Sequence, residues 1–173
     1  MVAEIGGLQD ALNDLDAVRD LTGVGEVVRT AARRVTGAMG ATFVLRDGDS
    51  CFYADEDAIA PLWKGQRFPM SSCISGWAML NVATAIVPDI EADPRIPLAA
   101  YRPTFVRSLA MVPVGAPEPV AAIGAYWSVT RTPTQAEVSG LEALAAAAAA
   151  AIRRVGLSDA PWAPRFGMSA GAT

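Results

Sequence analysis

The sequence predicts an α+β domain with one antiparallel sheet of five to six strands, helices on one face and a connecting segment over the other. Apolar residues spaced three or four apart, typical of helices, lie near both ends of the chain. Short β-branched and aromatic runs bounded by turn residues lie between them and predict strands. The mixed stretch Phe68–Val114 is too apolar for a disordered loop, and such connections often form the wall of a binding cavity. Elements in this order pack as helices against a sheet.

Two helices are predicted before the first strand. The first is indicated by one apolar stripe, formed by Leu8, Leu12, Leu15 and Val18. The second runs from Val24 to about Thr36, and Thr22 is a suitable N-cap for it. As an alternative, the two helices run on through the break at Leu21–Gly23.

A long C-terminal helix is predicted from Thr134 to about Val155, ending at Gly156. Thr134 and Glu137 have the spacing of a capping box, in which each side chain bonds the other residue's backbone amide. The helix carries a heptad-like seam with small residues at its centre, formed by Val138, Leu141, Ala145, Ala148, Ile152 and Val155. Small seam residues permit close approach of another helix or of the back of a sheet.

The middle of the chain predicts a meander of strands and short helical pieces. The predicted strands are Ala41–Arg46, Ser50–Ala54, Gly65–Met70 (an edge strand ending at Pro69), Thr84–Val87, Ser108–Val114 and Val120–Val129. Short helical pieces are predicted at Ala58–Leu62, Gly76–Leu80 and Leu98–Val106. Asp47-Gly48 signals a hairpin turn, and Gly124 indicates a bulge or a close approach.

The amino-acid composition excludes several classes of function. A chain of 173 residues, 52% hydrophobic and 18% charged, is a globular domain with enough length for a core. A net charge of −4 and a single lysine, Lys64, argue against nucleic-acid binding. Histidine is absent, which excludes Ser-His and Cys-His dyads and His-ligated zinc or haem. Whether Cys51 and Cys73 lie near each other is left open.

We expect three segments: an N-terminal helix over residues 1–20, a domain over 21–156 and a flexible tail over 157–173. The tail is rich in Pro, Gly, Ala and Ser, and contains Trp162 and Phe166 without periodicity. The N-terminus lacks a signal-peptide pattern, and no apolar run is long enough for a membrane span. A cytoplasmic, reduced protein with no membrane association is therefore expected.

The stretch SSCISGWAMLNVATAIVPDIEADPRIP, followed by YRPTFVRSLAMVPV and PVAAIGAYW, resembles the GAF domain. The pattern is G-W-A, a strand, D-I-x-x-D-P-R and then S-x-x-x-V-P-V, and the resemblance covers roughly Leu21–Val155. It is closest to GAF sensor modules of bacterial two-component histidine kinases. The resemblance implies a GAF/PAS-like sheet and a cavity between the sheet and the connecting segment. It also implies terminal helices that pair in a homodimer and signal to an output such as a histidine kinase.

Departures from better-defined GAF types narrow the range of ligands that the domain could bind. Cys73 is followed by Ile74 and no histidine is present, which disfavours covalent bilin and His-ligated haem. The residues after Phe105 lack the cyclic-nucleotide signature. Free methionine-(R)-sulfoxide reductases share the fold and carry cysteines next to the G-x-A helix and in the following loop. Here Ser75 precedes Gly76, so that enzymatic route is disfavoured, and the cofactor stays unknown.

The candidate ligand-binding residues all lie in the connecting segment or at the strand after it: Cys73, Trp77, Asp89, Arg95, Tyr101, Arg102, Phe105 and Ser108. No catalytic or metal-ligating residue is predicted. Cys73 precedes a short helix whose amides favour a thiolate, the alternative being an inert apolar filler. Trp77 either lines a pocket or packs in the core.

Tyr101 and Arg102 together suit a carboxylate or aromatic ligand. Alternatively, Arg102 or Arg95 forms a surface ion pair with an acidic residue of the Asp89–Asp93 stretch. Asp89 is expected to cap the following turn. Ser108 is expected to face the cavity and donate one hydrogen bond.

Three functions follow from these patterns. The first is a non-catalytic sensory domain that binds an unknown small organic ligand and couples binding to helix packing in a dimer. The second is a structural dimerisation module whose cavity is filled by Trp77, Tyr101, Phe105 and Met111. The third is a thiol redox enzyme, which requires Cys51 and Cys73 to be close and one of them to ionise readily.

Overall fold

The computed structural model describes residues 2–157 and contains five helices and six strands in that range. The helices are α1 (Val2–Ala17), α2 (Leu21–Thr36), α3 (Ile74–Asn81), α4 (Leu98–Tyr101) and α5 (Gln135–Val155). The strands are β1 (Gly40–Asp47), β2 (Ser50–Ala58), β3 (Arg67–Pro69), β4 (Ala85–Val87), β5 (Ser108–Val114) and β6 (Ala121–Trp127). Two 3-10 turns, Met70–Ser72 and Ile90–Ala92, lie in the connecting segment.

One antiparallel sheet in the order β3-β2-β1-β6-β5-β4 forms the centre of the molecule. β1 and β2 form a hairpin whose turn contains Gly48 with a φ of 58°, as the Asp47-Gly48 signal predicts. β6 returns to pair with β1, and the connecting segment from β3 to β5 contributes the edge strand β4 and otherwise covers the sheet. The predicted α+β class is confirmed.

The sheet has a separate apolar core on each face. The helix-face core contains side chains of α1, α2 and α5, together with Phe43, Ile123 and Trp127 from the strands. The connecting-segment core contains side chains from β3 to β5 and the loops between them, packed on Tyr53 and Tyr126. Because successive strand residues point to opposite faces, each central strand contributes to both cores.

The break between the first two helices is real, but its cap differs from the expectation. Asp20, not Thr22, is the N-cap of α2, and its Oδ1 accepts a hydrogen bond of 2.8 Å from the Gly23 amide. The helix therefore begins at Leu21, three residues before the predicted start. The end of α1 is held by Arg154, whose Nη2 donates to the carbonyls of Leu15 and Val18 at 2.9 and 2.8 Å.

The start of α5 uses half of the predicted capping box. Thr134 Oγ1 accepts a hydrogen bond of 3.1 Å from the Glu137 amide. The Glu137 carboxylate instead accepts two hydrogen bonds from Arg131, at 2.9 and 2.7 Å. A bidentate pair with a guanidinium is stronger than one bond to an amide, which explains the exchange.

The small-residue seam of α5 is used inside the protomer. Its central residues Leu141, Ala145, Ala148 and Ile152 are buried in the helix-face core. A Cβ added to Gly140, next to this seam, would lie 2.5 Å from Val35 Cγ1 of α2. The seam therefore packs against both α2 and the sheet of the same protomer, so both of its predicted uses are observed.

Two smaller expectations are corrected and a third is resolved. Ala58–Leu62 is not helical, since β2 continues to Ala58; the loop after it is held by the Glu56 carboxylate, which accepts from the amides of Leu62, Trp63 and Lys64. The helix predicted at Leu98–Val106 ends at Tyr101. Of the two alternatives predicted for Gly124, the close approach is confirmed, and its neighbour is the Tyr126 hydroxyl. The irregularity in the β1–β2 pairing falls elsewhere, between Phe43 and Val44.

The division into residues 1–20, 21–156 and 157–173 stays a prediction. Most of the predicted tail, with Trp162 and Phe166, lies outside the described residues. Within residues 2–157, no helix combines the length and hydropathy that crossing a membrane requires.

Replacing Thr134 by Ala should lower the free energy of unfolding by about 1 kcal/mol, because the Glu137 amide loses its cap acceptor. Urea denaturation followed by circular dichroism measures the change. Thr132→Ala is the matched control, since Thr132 is exposed in the preceding loop. Equal losses in both variants would contradict the cap.

Candidate functional site

The connecting-segment core contains a chain of polar side chains that begins at the two cysteines. The Sγ atoms of Cys51 and Cys73 lie 3.2 Å apart. Cys73 Sγ lies 3.3 Å from Ser75 Oγ, which in turn lies 3.1 Å from the Tyr53 hydroxyl. The Cys51 thiol also donates to Met70 Sδ at 3.2 Å. All five side chains are buried.

Local structure explains why these groups meet. Cys51 and Tyr53 are two residues apart on β2, so both point to the connecting-segment face. Cys73 is the N-cap residue of α3 and has extended backbone geometry. Ser75 lies in the first turn of the same helix, which places its hydroxyl between the Cys73 thiol and the Tyr53 phenol.

The pKa values of the two thiols are shifted in opposite directions. The hydrogen bond with Cys51 lowers the pKa of Cys73, with help from the Ser75 hydroxyl and the amides of Gly76 and Ser75, while burial opposes the shift. The hydrogen bond with Cys73 and burial raise the pKa of Cys51. Cys73 is therefore the thiol that ionises first, and Cys51 then stays protonated as its donor.

Buried aromatic side chains surround this row of polar groups. Tyr101 is 3% exposed, and its hydroxyl has no hydrogen-bond partner among residues 2–157. Its ring centroid lies 4.7 Å from that of Trp63, whose Nε1 donates to the Ala100 carbonyl. Burial raises the pKa of Tyr101 well above its ordinary value, with contributions from Tyr126 and Cys73. Tyr126, by contrast, pairs with Thr42 Oγ1 at 2.9 Å.

An open cleft of about 260 Å³ leads from the surface to Cys73. We call it the Trp77 cleft; its walls are Ser71, Ser72, Cys73, Trp77 and residues 94–97. The Arg95 guanidinium lies over the Trp77 ring, 4.4 Å from its centroid. It also donates to both oxygens of Asp93, at 3.0 and 2.7 Å. This pair lowers the pKa of Asp93 and raises that of Arg95.

The structure brings Cys73, Trp77 and Arg95 together at the Trp77 cleft, and Tyr101 belongs to the same apolar core as Cys73. The side chain that fills the core is thus Tyr101, while Trp77 is only partly buried. Of the four residues proposed to fill a cavity, Tyr101 and Met111 are buried, and Trp77 and Phe105 pack at the margin.

The other candidates serve the fold. Asp89 caps the Ile90–Ala92 turn by accepting from the Glu91 amide, as predicted. Arg102 is exposed and lies 3.6 Å from Glu91, the surface ion pair given as its alternative. Ser108 was expected to face the cavity, but it shares a strand face with Ala110 of the helix-face core. Its hydroxyl donates to the Val129 carbonyl at 2.7 Å.

Sequence reasoning missed Tyr53, Ser75 and Met70. The alternation of SCFYA along β2 was the available signal for Tyr53, since it places Cys51 and Tyr53 on one face. Ser75 and Met70 depend on the tertiary position of α3. Among residues 2–157, Cys, Asp and Glu side chains form no group of three or more suited to a metal ion.

Comparison with known proteins places this geometry in context. A family model of the GAF domain matches residues 18–153. No curated protein matches the chain. Free methionine-R-sulfoxide reductase from Neisseria meningitidis has a similar structure, with a TM-score of 0.74 at 18% identity over 86% of this chain and 87% of that one.

Two further solved structures share the fold. The GAF domain of Acinetobacter phosphoenolpyruvate-protein phosphotransferase gives a TM-score of 0.75 at 12% identity, over 87% of this chain and 93% of that one. The chromophore-binding domain of a bacteriophytochrome from R. palustris gives 0.73 at 16% identity, over 87% of this chain and 61% of that one.

Alkylation of Cys73 by iodoacetamide should reach half its maximum rate at a pH below that of an ordinary cysteine. The thiolate is the reactive form, so reactivity rises as pH rises through the pKa, and a lowered pKa moves that rise to lower pH. Peptide mass mapping after timed alkylation gives the profile.

Cys51→Ala and Ser75→Ala should move this midpoint to higher pH, because each removes a donor to the thiolate. Ser71→Ala is the control, since Ser71 lies in the cleft wall and is exposed. A wild-type midpoint at the ordinary thiol value would contradict the site.

Proposed function

Because this chain belongs to the GAF domain family, we propose that it is a sensory domain that binds a small organic molecule on the connecting-segment face of its sheet. The observation that carries the proposal is the Tyr101 hydroxyl, which is buried and finds no partner within the described part of the chain. Buried polar groups are nearly always hydrogen-bonded, and an unpaired one costs about 1–3 kcal/mol. A bound molecule that pairs with this phenol would remove that cost.

The Trp77 cleft supports the proposal by offering a way in. It reaches Cys73, and the Cys73 side chain belongs to the same core as Tyr101. Arg95 is neutralised by Asp93 and covers the Trp77 ring, so the entrance carries little net charge. We therefore expect a compact, largely apolar or aromatic ligand with one hydrogen-bonding group, rather than a carboxylate bound by Arg102.

Arg131 is a suitable link from the cleft to the terminal helices. Its backbone amide donates to the Pro88 carbonyl of the connecting segment at 3.2 Å. Its guanidinium lies 4.6 Å from the centroid of the Trp127 ring and pairs with Glu137 in the first turn of α5. A ligand that favours one position of the connecting segment would thereby bias α5, provided that it binds the two states with different affinity.

We further propose that the output is a partner protein of the histidine-kinase type, reached through the terminal helices of a homodimer. The support is the resemblance of the G-W-A and D-I-x-x-D-P-R stretches to sensor modules of such kinases. The seam of α5 is buried within the protomer, so the dimer contact would use the outer faces of α1 and α5. A cytoplasmic location is part of this proposal.

Two other functions have specific observations in their favour. Tight burial of Tyr101 and Met111 favours a structural module without a ligand. Adjacent thiols and a lowered pKa at Cys73 favour a thiol enzyme, and a free methionine-R-sulfoxide reductase shares the fold. Turnover of free methionine-R-sulfoxide with a dithiol reductant tests that activity directly, and its absence in wild-type protein would exclude a reductase of this kind.

Tyr101→Phe should leave stability without ligand unchanged or raise it by up to about 1 kcal/mol, because it deletes an unpaired buried hydroxyl. The matched variant Tyr126→Phe should lose about 1 kcal/mol, because it leaves Thr42 without its partner. Urea denaturation gives both values. Equal losses would contradict an unpaired Tyr101.

Protein purified from its own source is then analysed by native mass spectrometry and absorption spectroscopy. A retained molecule should bind Tyr101→Phe about five- to tenfold more weakly and Tyr126→Phe with unchanged affinity. Wild-type protein that carries no molecule, together with a Tyr101→Phe variant of unchanged properties, would favour the structural module.

Sedimentation velocity at tens of micromolar should show a dimer, since paired terminal helices associate at such concentrations. The ion pair of Arg131 with Glu137 is internal, so Glu137→Gln is a control that should keep the same association state. A monomer for the wild-type protein would contradict the dimer proposal.

A further inference from the structure

Cys51 and Cys73 are arranged as a reactive pair rather than as two separate fillers. Their sulfurs lie 3.2 Å apart, although the residues come from β2 and the start of α3. Cys73 is 6% exposed and belongs to the wall of the Trp77 cleft, whereas Cys51 is 0% exposed. Of the two cysteines, Cys73 is therefore the one that borders the cleft, and Cys51 lies in contact with it in the core.

The groups around Cys73 suit a nucleophilic sulfur. The Ser75 hydroxyl lies 3.3 Å from its Sγ, and the Tyr53 hydroxyl fixes Ser75 from the other side at 3.1 Å. The Cys51 thiol is the third group beside the Cys73 sulfur, and it is close enough to attack that sulfur once it is oxidised. A bulky disulfide such as oxidised glutathione is excluded by the burial of both sulfurs, but hydrogen peroxide, a molecule little larger than water, fits the cleft.

We propose that Cys73 and Cys51 form a peroxide-sensitive dithiol that closes to an intramolecular disulfide. The Cys73 thiolate attacks one oxygen of hydrogen peroxide, the O–O bond breaks, and the products are a sulfenic acid on Cys73 and hydroxide. The proton that Cys73 had released converts this hydroxide to water. The Cys51 sulfur then attacks the sulfenic sulfur, an S–S bond forms and the S–O bond breaks.

The departing hydroxyl takes the Cys51 proton and leaves as a second water. Two thiols are oxidised by two electrons in all, and one peroxide is reduced to two waters. Closing the bond draws the Cys73 sulfur towards β2 and away from the Trp77 cleft, so the oxidation state changes the wall of that cleft. The reaction does not depend on the cleft holding an organic ligand, and a failed ligand search leaves it untouched.

The test uses the full chain, reduced and freed of reductant under nitrogen, with one equivalent of hydrogen peroxide. Intact-mass spectrometry should show the loss of two hydrogen atoms, reversed by dithiothreitol. The chain has only two cysteines, so this product within one chain is the Cys51–Cys73 bond, and peptide mapping confirms it without any variant. Addition of oxygen at Met70 or elsewhere gives a mass increase instead, and disulfides between chains appear on a non-reducing gel.

Variants assign the order of events. Cys51→Ala should hold Cys73 as a sulfenic acid that dimedone traps, and Cys73→Ala should react with peroxide roughly tenfold or more slowly than wild type. Thr132→Ala, an exposed position outside the Trp77 cleft, is the control and should react like wild type; circular dichroism verifies the fold of each variant. The proposal is overturned if the wild-type protein keeps both thiols, only gains oxygen, or forms only disulfides between chains. It is also overturned if Cys73→Ala reacts with peroxide at the wild-type rate.

Discussion

Burial of both faces of the central strands is the constraint on which the rest of this structure depends. A sheet covered on two sides needs apolar side chains at successive positions, and β6 meets this need with buried residues along its full length. Strand alternation then divides each strand between two cores with different contents. The helix-face core contains aliphatic and small side chains with Phe43, Phe52 and Trp127, whereas the buried phenols and thiols all belong to the other core.

The elements with strong local signals could be predicted from the sequence. The Asp47-Gly48 turn, the β5 strand and the Thr134 cap each depend on neighbouring residues, and all three are confirmed. The errors have tertiary causes. Glu56 reaches three amides across a loop and keeps Ala58–Leu62 from forming a helical turn. Arg131 takes the carboxylate that would have closed the capping box.

The candidate site was predictable only in part. Cys73, Trp77 and Arg95 belong to one continuous stretch of sequence, and its pattern alone predicts that they contribute to one site; the structure places all three at the Trp77 cleft. The contact between Cys51 and Cys73 depends on how α3 docks beside β2, which no spacing in the chain encodes. The prediction that Ser108 faces the cavity is wrong because the sequence of a strand buried on both sides does not show which alternate residues point to which face. The unpaired Tyr101 hydroxyl is likewise a property of the assembled core.

The contact between Gly140 of α5 and Val35 of α2 has a consequence for how this sequence can change over generations. A methyl group at Gly140 would overlap the Val35 side chain, so neither position is free to drift alone. A larger residue at one must be matched by a smaller residue at the other. Sequences that descend from this one should therefore keep the two positions inversely related in volume, a correlated pair that spans the two helices.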